Sequence, residues 1–317
     1  MFATLDDATA DFLKNLRAAG APPMDEQPLA DLRAGIRAAS QQLAPPRTEM
    51  HAVEDRRIPT TGGEIAIRIY TPRQTSDPLP VALFFHGGGF VAGDLDSHDS
   101  IARYHAKHGD AIVIAVDYRL APEARFPAQV DDAWAALMWA EPHARAIGGD
   151  PSRMAVIGDS AGGNLAAVLT QTARDRGGPR IAFQALVYPQ VDLDLEKDSA
   201  SRLQFGGGEF FLSRRDMAWF RAQYLADIAR QAQDPRVSPL AQSDMRGLPP
   251  AVVITAGCDP LHDEGKAYAD ALARAGVPVD YRCFEGTIHA FVSFAGAIPA
   301  GMDALAFVAS KLRAALA

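Results

Sequence analysis

The chain has 317 residues, a net charge of −8 and two cysteines, Cys258 and Cys283. That balance offers no basic footprint for nucleic acid or an anionic membrane, and two cysteines make neither a disulfide framework nor a metal cluster. Apolar residues at 48% and charged residues at 22% are typical of a soluble globular chain, here long enough to bury a large core.

The cysteines read as two packed thiols, with one bridge between them left open. The opening stretch MFATLDDATADFLKNL lacks a basic region leading into an apolar one, so no secretory signal is expected. VALFF and AIVIAV, the longest apolar runs, are far too short to span a bilayer. The expectation is a soluble cytoplasmic protein with no membrane or nucleic-acid partner.

Residues 1–48 read as a helical segment. Leu5, Phe12, Leu13 and Leu16 share one face of a first helix, and Leu29, Leu32, Ile36 and Leu43 share one face of a second. GAPPM at 20–24 separates the two, and APP at 44–46 ends the second. The pattern then changes. EIAIRIY (64–70) alternates as a half-buried strand, followed by apolar strands at 81–85, 111–116, 153–158, 181–188, 251–257 and 279–284. Helix-period stretches at 97–108, 129–145, 161–174 and 263–275 lie between them. This alternation predicts an α/β fold with a mainly parallel central sheet covered by helices on both faces. Residues 49–189 and 235–317 form that core, interrupted by an excursion at 190–234 that holds FGGGEFF and a helix-like SRRDMAWFRAQYL. Such an insertion ordinarily sits above the C-terminal strand edges, where ligands bind, and the N-terminal helices are expected to join it as a cap.

The sharpest signal is RMAVIGDSAGGNLAAVL, in which Gly158-Asp159-Ser160-Ala161-Gly162 fits G-x-S-x-G between a strand and a helix. The tight turn needs small residues two positions either side of the serine, and Gly158 and Gly162 supply them. The bland reading is a glycine-rich turn whose serine caps the helix. With strand and helix both in place, Ser160 is read as a nucleophile. A serine hydroxyl then needs a base, and the base needs an orienting acid, in the chain order serine, acid, histidine. Only His262 and His289 follow Ser160. His289, just past the strand at 279–284, is the candidate base, and Asp259, directly after the strand at 251–257, is the candidate acid. Asp263 is the main rival acid; like Glu264, it falls in a first helical turn, where carboxylates routinely serve the helix dipole. His262 stands too close to Asp259 to serve above Ser160 and reads as a surface histidine.

HGGGF (86–90) has three readings. A phosphate loop would need a following lysine, which is absent. The glycines also fit G-x-G-x-x-[GA], but FVAGDLDSHD does not open directly into a helix as a dinucleotide site requires. The third reading is an oxyanion hole: backbone N–H groups reach a developing negative oxygen only where no side chain intervenes. Gly88, Gly89 and Ala161 are the expected donors. Gly87 belongs to the same bare run, and His86 is expected to pin the loop by hydrogen bonding.

These motifs, with DYRLAPE (117–123), FPA (126–128), YP (188–189), DPRVSPL (234–240) and DPLHDEG (259–265), give the chain a resemblance to the hormone-sensitive-lipase-like esterases of the α/β-hydrolase fold. The resemblance implies Ser160, Asp259 and His289 as the triad, a helical cap, and hydrolysis of small carboxylic esters with short or medium acyl chains, without cofactor or metal. A homodimer through the edge of the sheet would suit it. Many members carry glycine where this chain has Ala290. Asp117, Arg119 and Glu123 are expected to form a polar network bracing the oxyanion loop. Phe90, Phe205, Phe210, Phe211, Trp219 and Phe291 are candidates to line the pocket, and each could equally be core or cap packing. An amidase or acyltransferase would use the same residues, and a ligand-binding receptor of the same fold would lack one of the triad.

Overall fold

The structure is a computed structural model that describes residues 4–20 and 22–317. Residues 1–3 and the second position of GAPPM lie outside it. In chain order the elements are α1 (Asp7–Ala19), α2 (Leu29–Leu43), β1 (Ala52–Thr60), β2 (Gly63–Thr71), β3 (Leu79–Phe85), α3 (Asp99–Gly109), β4 (Ile112–Asp117), α4 (Ala128–His143), β5 (Gly149–Asp159), α5 (Ala161–Arg176), β6 (Phe183–Val187), α6 (Ala200–Phe205), α7 (Arg214–Tyr224), α8 (Ile228–Gln231), β7 (Ala251–Cys258), α9 (His262–Arg274), β8 (Val279–Ile288) and α10 (Ala300–Ala315). Asp6 caps α1 by accepting Thr9 N–H at 2.7 Å, and Gly20 ends it at φ 67°. Phe12 and Leu13 are buried as the α1 periodicity predicts, but Leu16 is 37% exposed and leaves that face.

The eight strands form one sheet in the order β1-β2-β4-β3-β5-β6-β7-β8. β1 pairs antiparallel with β2, and β2 with β4; every other neighbouring pair is parallel. The sequence pattern did not reveal β1. Its residues are mostly exposed and four of the nine are charged, so it has no apolar alternation and is defined by its pairing with β2.

Alternate residues of each buried strand enter opposite cores. Leu83, Phe85, Ile114, Val116 and Val156 face α4, α5 and α9 through Leu137, Leu165 and Leu272. Phe84, Val113, Ala115 and Ile157 face α3 and α10 through Ile101, Leu305 and Leu312. A residue such as Leu83, with no exposed area, contributes about 1.5–3 kcal/mol by leaving water. No disulfide joins Cys258 and Cys283.

The 190–234 excursion folds as α6, α7 and α8 and meets the N-terminal segment. Arg215 of α7 pairs with Asp25 and Glu26 at 2.8 Å each, and Arg17 of α1 donates to the Glu209 carbonyl. Phe12 of α1 stacks on Phe294 at 4.8 Å, and Phe211 of the excursion meets the same ring edge-on at 5.2 Å.

Candidate active site

The parallel order brings the C-terminal ends of β3, β5, β7 and β8 to one side of the sheet, and the motif residues follow those ends. Ser160 lies between β5 and α5 at φ 53°, ψ −117°, a conformation few non-glycine residues adopt. Its N–H donates to Val187 O at 2.9 Å, and its carbonyl accepts Asn164 N–H at 3.0 Å, so strand and helix hold the strain from both sides. The flanking glycines are steric necessities. A Cβ on Gly158 would stand 2.1 Å from Gly162 O, and one on Gly162 would stand 1.9 Å from Phe85 O.

Ser160 Oγ is 2.9 Å from His289 Nε2, and His289 Nδ1 is 2.8 Å from Asp259 Oδ2. An ionised carboxylate only accepts, so Nδ1 carries the proton and Nε2 presents its lone pair to the serine hydroxyl. Asp259 has no exposed area, and its other oxygen accepts Leu261 N–H at 2.8 Å. His289, 5% exposed, is flanked by the Tyr188 ring at 5.0 Å.

The rival carboxylates have other partners. Asp263 accepts Ser201 N–H at 2.9 Å. Glu264 accepts Val191 N–H at 2.8 Å and Arg202 Nη2 at 2.6 Å. Burial pushes the Glu264 carboxyl up to about 7, opposed by the Arg202 guanidinium. Both residues fasten the start of the excursion rather than approach Ser160. His262 is half-buried, not a surface group, and its Nδ1 meets Ala256 O at 3.1 Å.

The glycine loop lies beside the nucleophile because β3 and β5 are paired neighbours, with Phe85 opposite Gly158. Gly88 and Gly89 have φ 115° and 62°, and a Cβ on Gly89 would strike the Phe220 ring at 2.4 Å. Ala161 opens α5, so its N–H belongs to the free first turn of that helix. Gly87 N–H donates to Asp159 Oδ1 at 2.9 Å. His86 is buried, donates from Nδ1 to Gly87 O at 2.8 Å and stacks on Tyr118 at 4.3 Å. Burial, helped by His98, lowers its pKa to about 4, so the ring is neutral at pH 7.

The expected DYRLAPE network takes a different form. Arg119 forks onto Asp132 at 2.8 Å rather than onto Asp117 or Glu123. Glu123 pairs with Arg33 of α2 at 2.7 Å, and the same guanidinium donates to Val91 O at 2.8 Å and Ala121 O at 2.9 Å. The brace on the glycine loop therefore comes from the N-terminal segment, 58 positions away from Val91, a separation at which no local pattern exists to read.

Phe90 stacks on Tyr224 at 3.9 Å with 1% exposure, and Phe291 is fully buried against Tyr188 and Phe284. Phe205 is buried edge-on to Phe210 at 5.0 Å. Phe210, Phe211 and Trp219 are half-buried, and Trp219 meets Phe220 edge-on. Phe220, which the sequence reading missed, presses on Gly89; its adjacency to Trp219 on one helix was the available signal. Among the described residues no group of three or more His, Cys, Asp or Glu side chains is placed to hold a metal, and no helix is long and apolar enough to cross a membrane.

A strained serine on a strand–helix turn, a histidine and an acid from later strands, and a bare glycine loop together describe an α/β hydrolase. Residues 82–293 match the α/β-hydrolase-fold family, and the chain belongs to it, among the hormone-sensitive-lipase-like esterases that its motifs resemble. It is 44% identical over 276 residues to the esterase LipI of Mycobacterium tuberculosis, covering 85% of each chain. To the ethyl acetate hydrolase of Pseudomonas putida it is 37% identical over 297 residues, covering 92% of each. A hyperthermophilic esterase from the archaeon Pyrobaculum calidifontis superimposes with a TM-score of 0.93 at 39% identity, covering 99% of this chain and 100% of that one.

Proposed function

We propose that this protein is a serine carboxylesterase acting on small carboxylic esters with short to medium acyl chains. The observation that carries the reading is the continuous Ser160–His289–Asp259 hydrogen-bonded chain, 2.9 and 2.8 Å, beside a glycine loop. His289 Nε2 takes the Ser160 proton as Oγ attacks the ester carbonyl. Asp259 holds the Nδ1–H tautomer and stabilises the imidazolium. The N–H groups of Gly88, Gly89 and Ala161 receive the oxyanion. The tetrahedral intermediate collapses, His289 protonates the departing alcohol, and the acyl group stays on Ser160. Water, deprotonated by His289, then attacks the acyl-enzyme and releases the acid, and the proton returns to Ser160.

The N-terminal helices and the 190–234 excursion act together as a cap over these strand ends, a reading supported by the Arg215 ion pairs and the position of Phe220 against Gly89. Phe210, Phe211 and Trp219, with Phe220, are the apolar side chains assigned to meet an acyl or alcohol group, a reading supported by their half-buried positions and by Phe220 against Gly89. The reaction needs no cofactor, and the protein works in the cytoplasm. Relatives named for ester hydrolysis support the substrate class.

The test is a rate series on p-nitrophenyl esters of increasing acyl length. Native protein is expected to turn over short esters and fall off as the chain lengthens, while Ser160→Ala loses on the order of 10⁶ in kcat. Near-native activity in that variant would remove Ser160 from the mechanism. Faster cleavage of matched anilides than of esters would point to an amidase instead.

A further inference from the structure

The residues from His86 to His98 link β3 to α3 and contain all three glycines of the loop. Asp159, the residue before Ser160, meets both ends of this segment. Its Oδ1 accepts Gly87 N–H at 2.9 Å and lies 3.6 Å from His98 Nε2. The second distance is one of electrostatic attraction, slightly long for a full hydrogen bond. Both side chains are buried, Asp159 at 6% and His98 at 7% exposure. The other ring nitrogen of His98 meets Ser97 Oγ at 2.9 Å, and that oxygen accepts Asp94 N–H at 2.9 Å. Asp94 is in turn paired with Arg37 of α2. The hydrolytic mechanism uses none of these groups.

A carboxylate buried this deeply needs partners. Burial raises the Asp159 carboxyl, but His98 first, then His86 and the Gly87 N–H, outweigh it and hold it below the usual range. The glycine loop has the opposite problem. Its backbone must be bare, so packing of its own side chains cannot fix the direction of its N–H groups, and glycine backbone is the most permissive there is. Oxyanion donors stabilise a transition state only if they are already aimed before charge develops.

We propose that His98 is a positioning residue for the oxyanion loop: through Asp159 it ties the last residue of the segment to its first glycine, and so fixes where Gly88 and Gly89 N–H point. This rests on the esterase reading. His98 touches neither substrate nor nucleophile, so its loss disturbs transition-state stabilisation and leaves ground-state binding intact.

The experiment measures kcat and KM on p-nitrophenyl butyrate for native protein, His98→Ala, His98→Gln and Ser97→Ala. His98→Ala is expected to lower kcat about 10²-fold, the scale of a 1 Å misplacement, with KM within about threefold. His98→Gln, which keeps an N–H within reach of Asp159, should recover kcat to within about tenfold of native. Inactivation by diethyl p-nitrophenyl phosphate, whose phosphoryl oxygen needs the same donors, should slow in parallel. Unchanged kcat in His98→Ala, a KM rise at constant kcat, or no recovery by glutamine would each overturn the proposal. If His98→Ala does not fold, Ser97→Ala reads the same quantity, with kcat expected to fall about tenfold and an unchanged kcat overturning it. Native protein that hydrolyses no ester would fail the esterase reading itself, leaving His98 no oxyanion to serve.

Discussion

Ala290, directly after His289, sits at φ 64°. A side chain there costs about 1–2 kcal/mol against the following carbonyl, and glycine relieves it at some cost in unfolded-state entropy. A glycine at this position would therefore have a backbone cause. Ala290→Gly is expected to stabilise the protein by about 0.5–1 kcal/mol, a rise of about 1–3 °C in melting temperature by calorimetry. A fall would mean the surrounding turn needs the methyl group. Asp117, at the end of β4, has a different burden. Burial, reinforced by Asp94 and then Asp96, raises its carboxyl from 3.8 to about 6. Because the folded pKa lies above the unfolded one, ionising Asp117 costs stability. That cost is absent well below pH 3.8, grows as pH rises from there to about 6, and is complete above that. Asp117→Asn should therefore raise the melting temperature at pH 8 and leave it nearly unchanged at about pH 3. An equal gain at both values would assign the effect to something other than charge.

At the scale of elements, legibility followed burial. The strands at 81–85, 111–116, 153–158 and 251–257 were readable because both faces are covered and nearly all their residues are apolar, Arg153 and Thr255 being the exceptions. β1 was not, since its exposed residues record no face. Helix α5 declared itself through its glycine-rich start, where close approach to β3 admits no Cβ. Helix α2 declared its apolar stripe but not its purpose. Arg33 and Arg37 project from its polar side onto Val91 O, Ala121 O, Glu123 and Asp94, so the helix fastens the glycine loop by charge. On helical periodicity alone such residues belong to a solvated face. In the same way Glu264 looked like helix-dipole dressing, yet it is the buried anchor for Arg202 and the backbone at 191–192.

At the scale of the molecule, β8 ends the sheet and, among the described residues, pairs as a strand with β7 alone. On its outer side Gly286 O accepts Asp6 N–H at 3.0 Å, while among the described residues no strand pairs with the rest of that edge, and we propose that two copies of the chain join there. Sedimentation at micromolar concentration should give twice the 33.9 kDa chain mass, and a proline at Arg282 should return the monomer. A native sedimentation coefficient already that of a monomer would end the idea.

Ser160, Asp259 and His289 were legible from the chain because each sits at a strand end where the triad's chemistry restricts the residue, and the glycine loop because its close contacts admit no Cβ. Composition and alternation likewise determined a parallel α/β core, since doubly buried strands tolerate little else. The tertiary structure alone decided the supporting contacts: Arg33 on the loop carbonyls, Phe220 against Gly89, His98 beside Asp159 and Arg119 turned to Asp132. These join residues far apart in sequence through single side chains of ordinary type. Nothing local constrains such choices, so only the folded chain, which brings the partners within a few ångströms, records them.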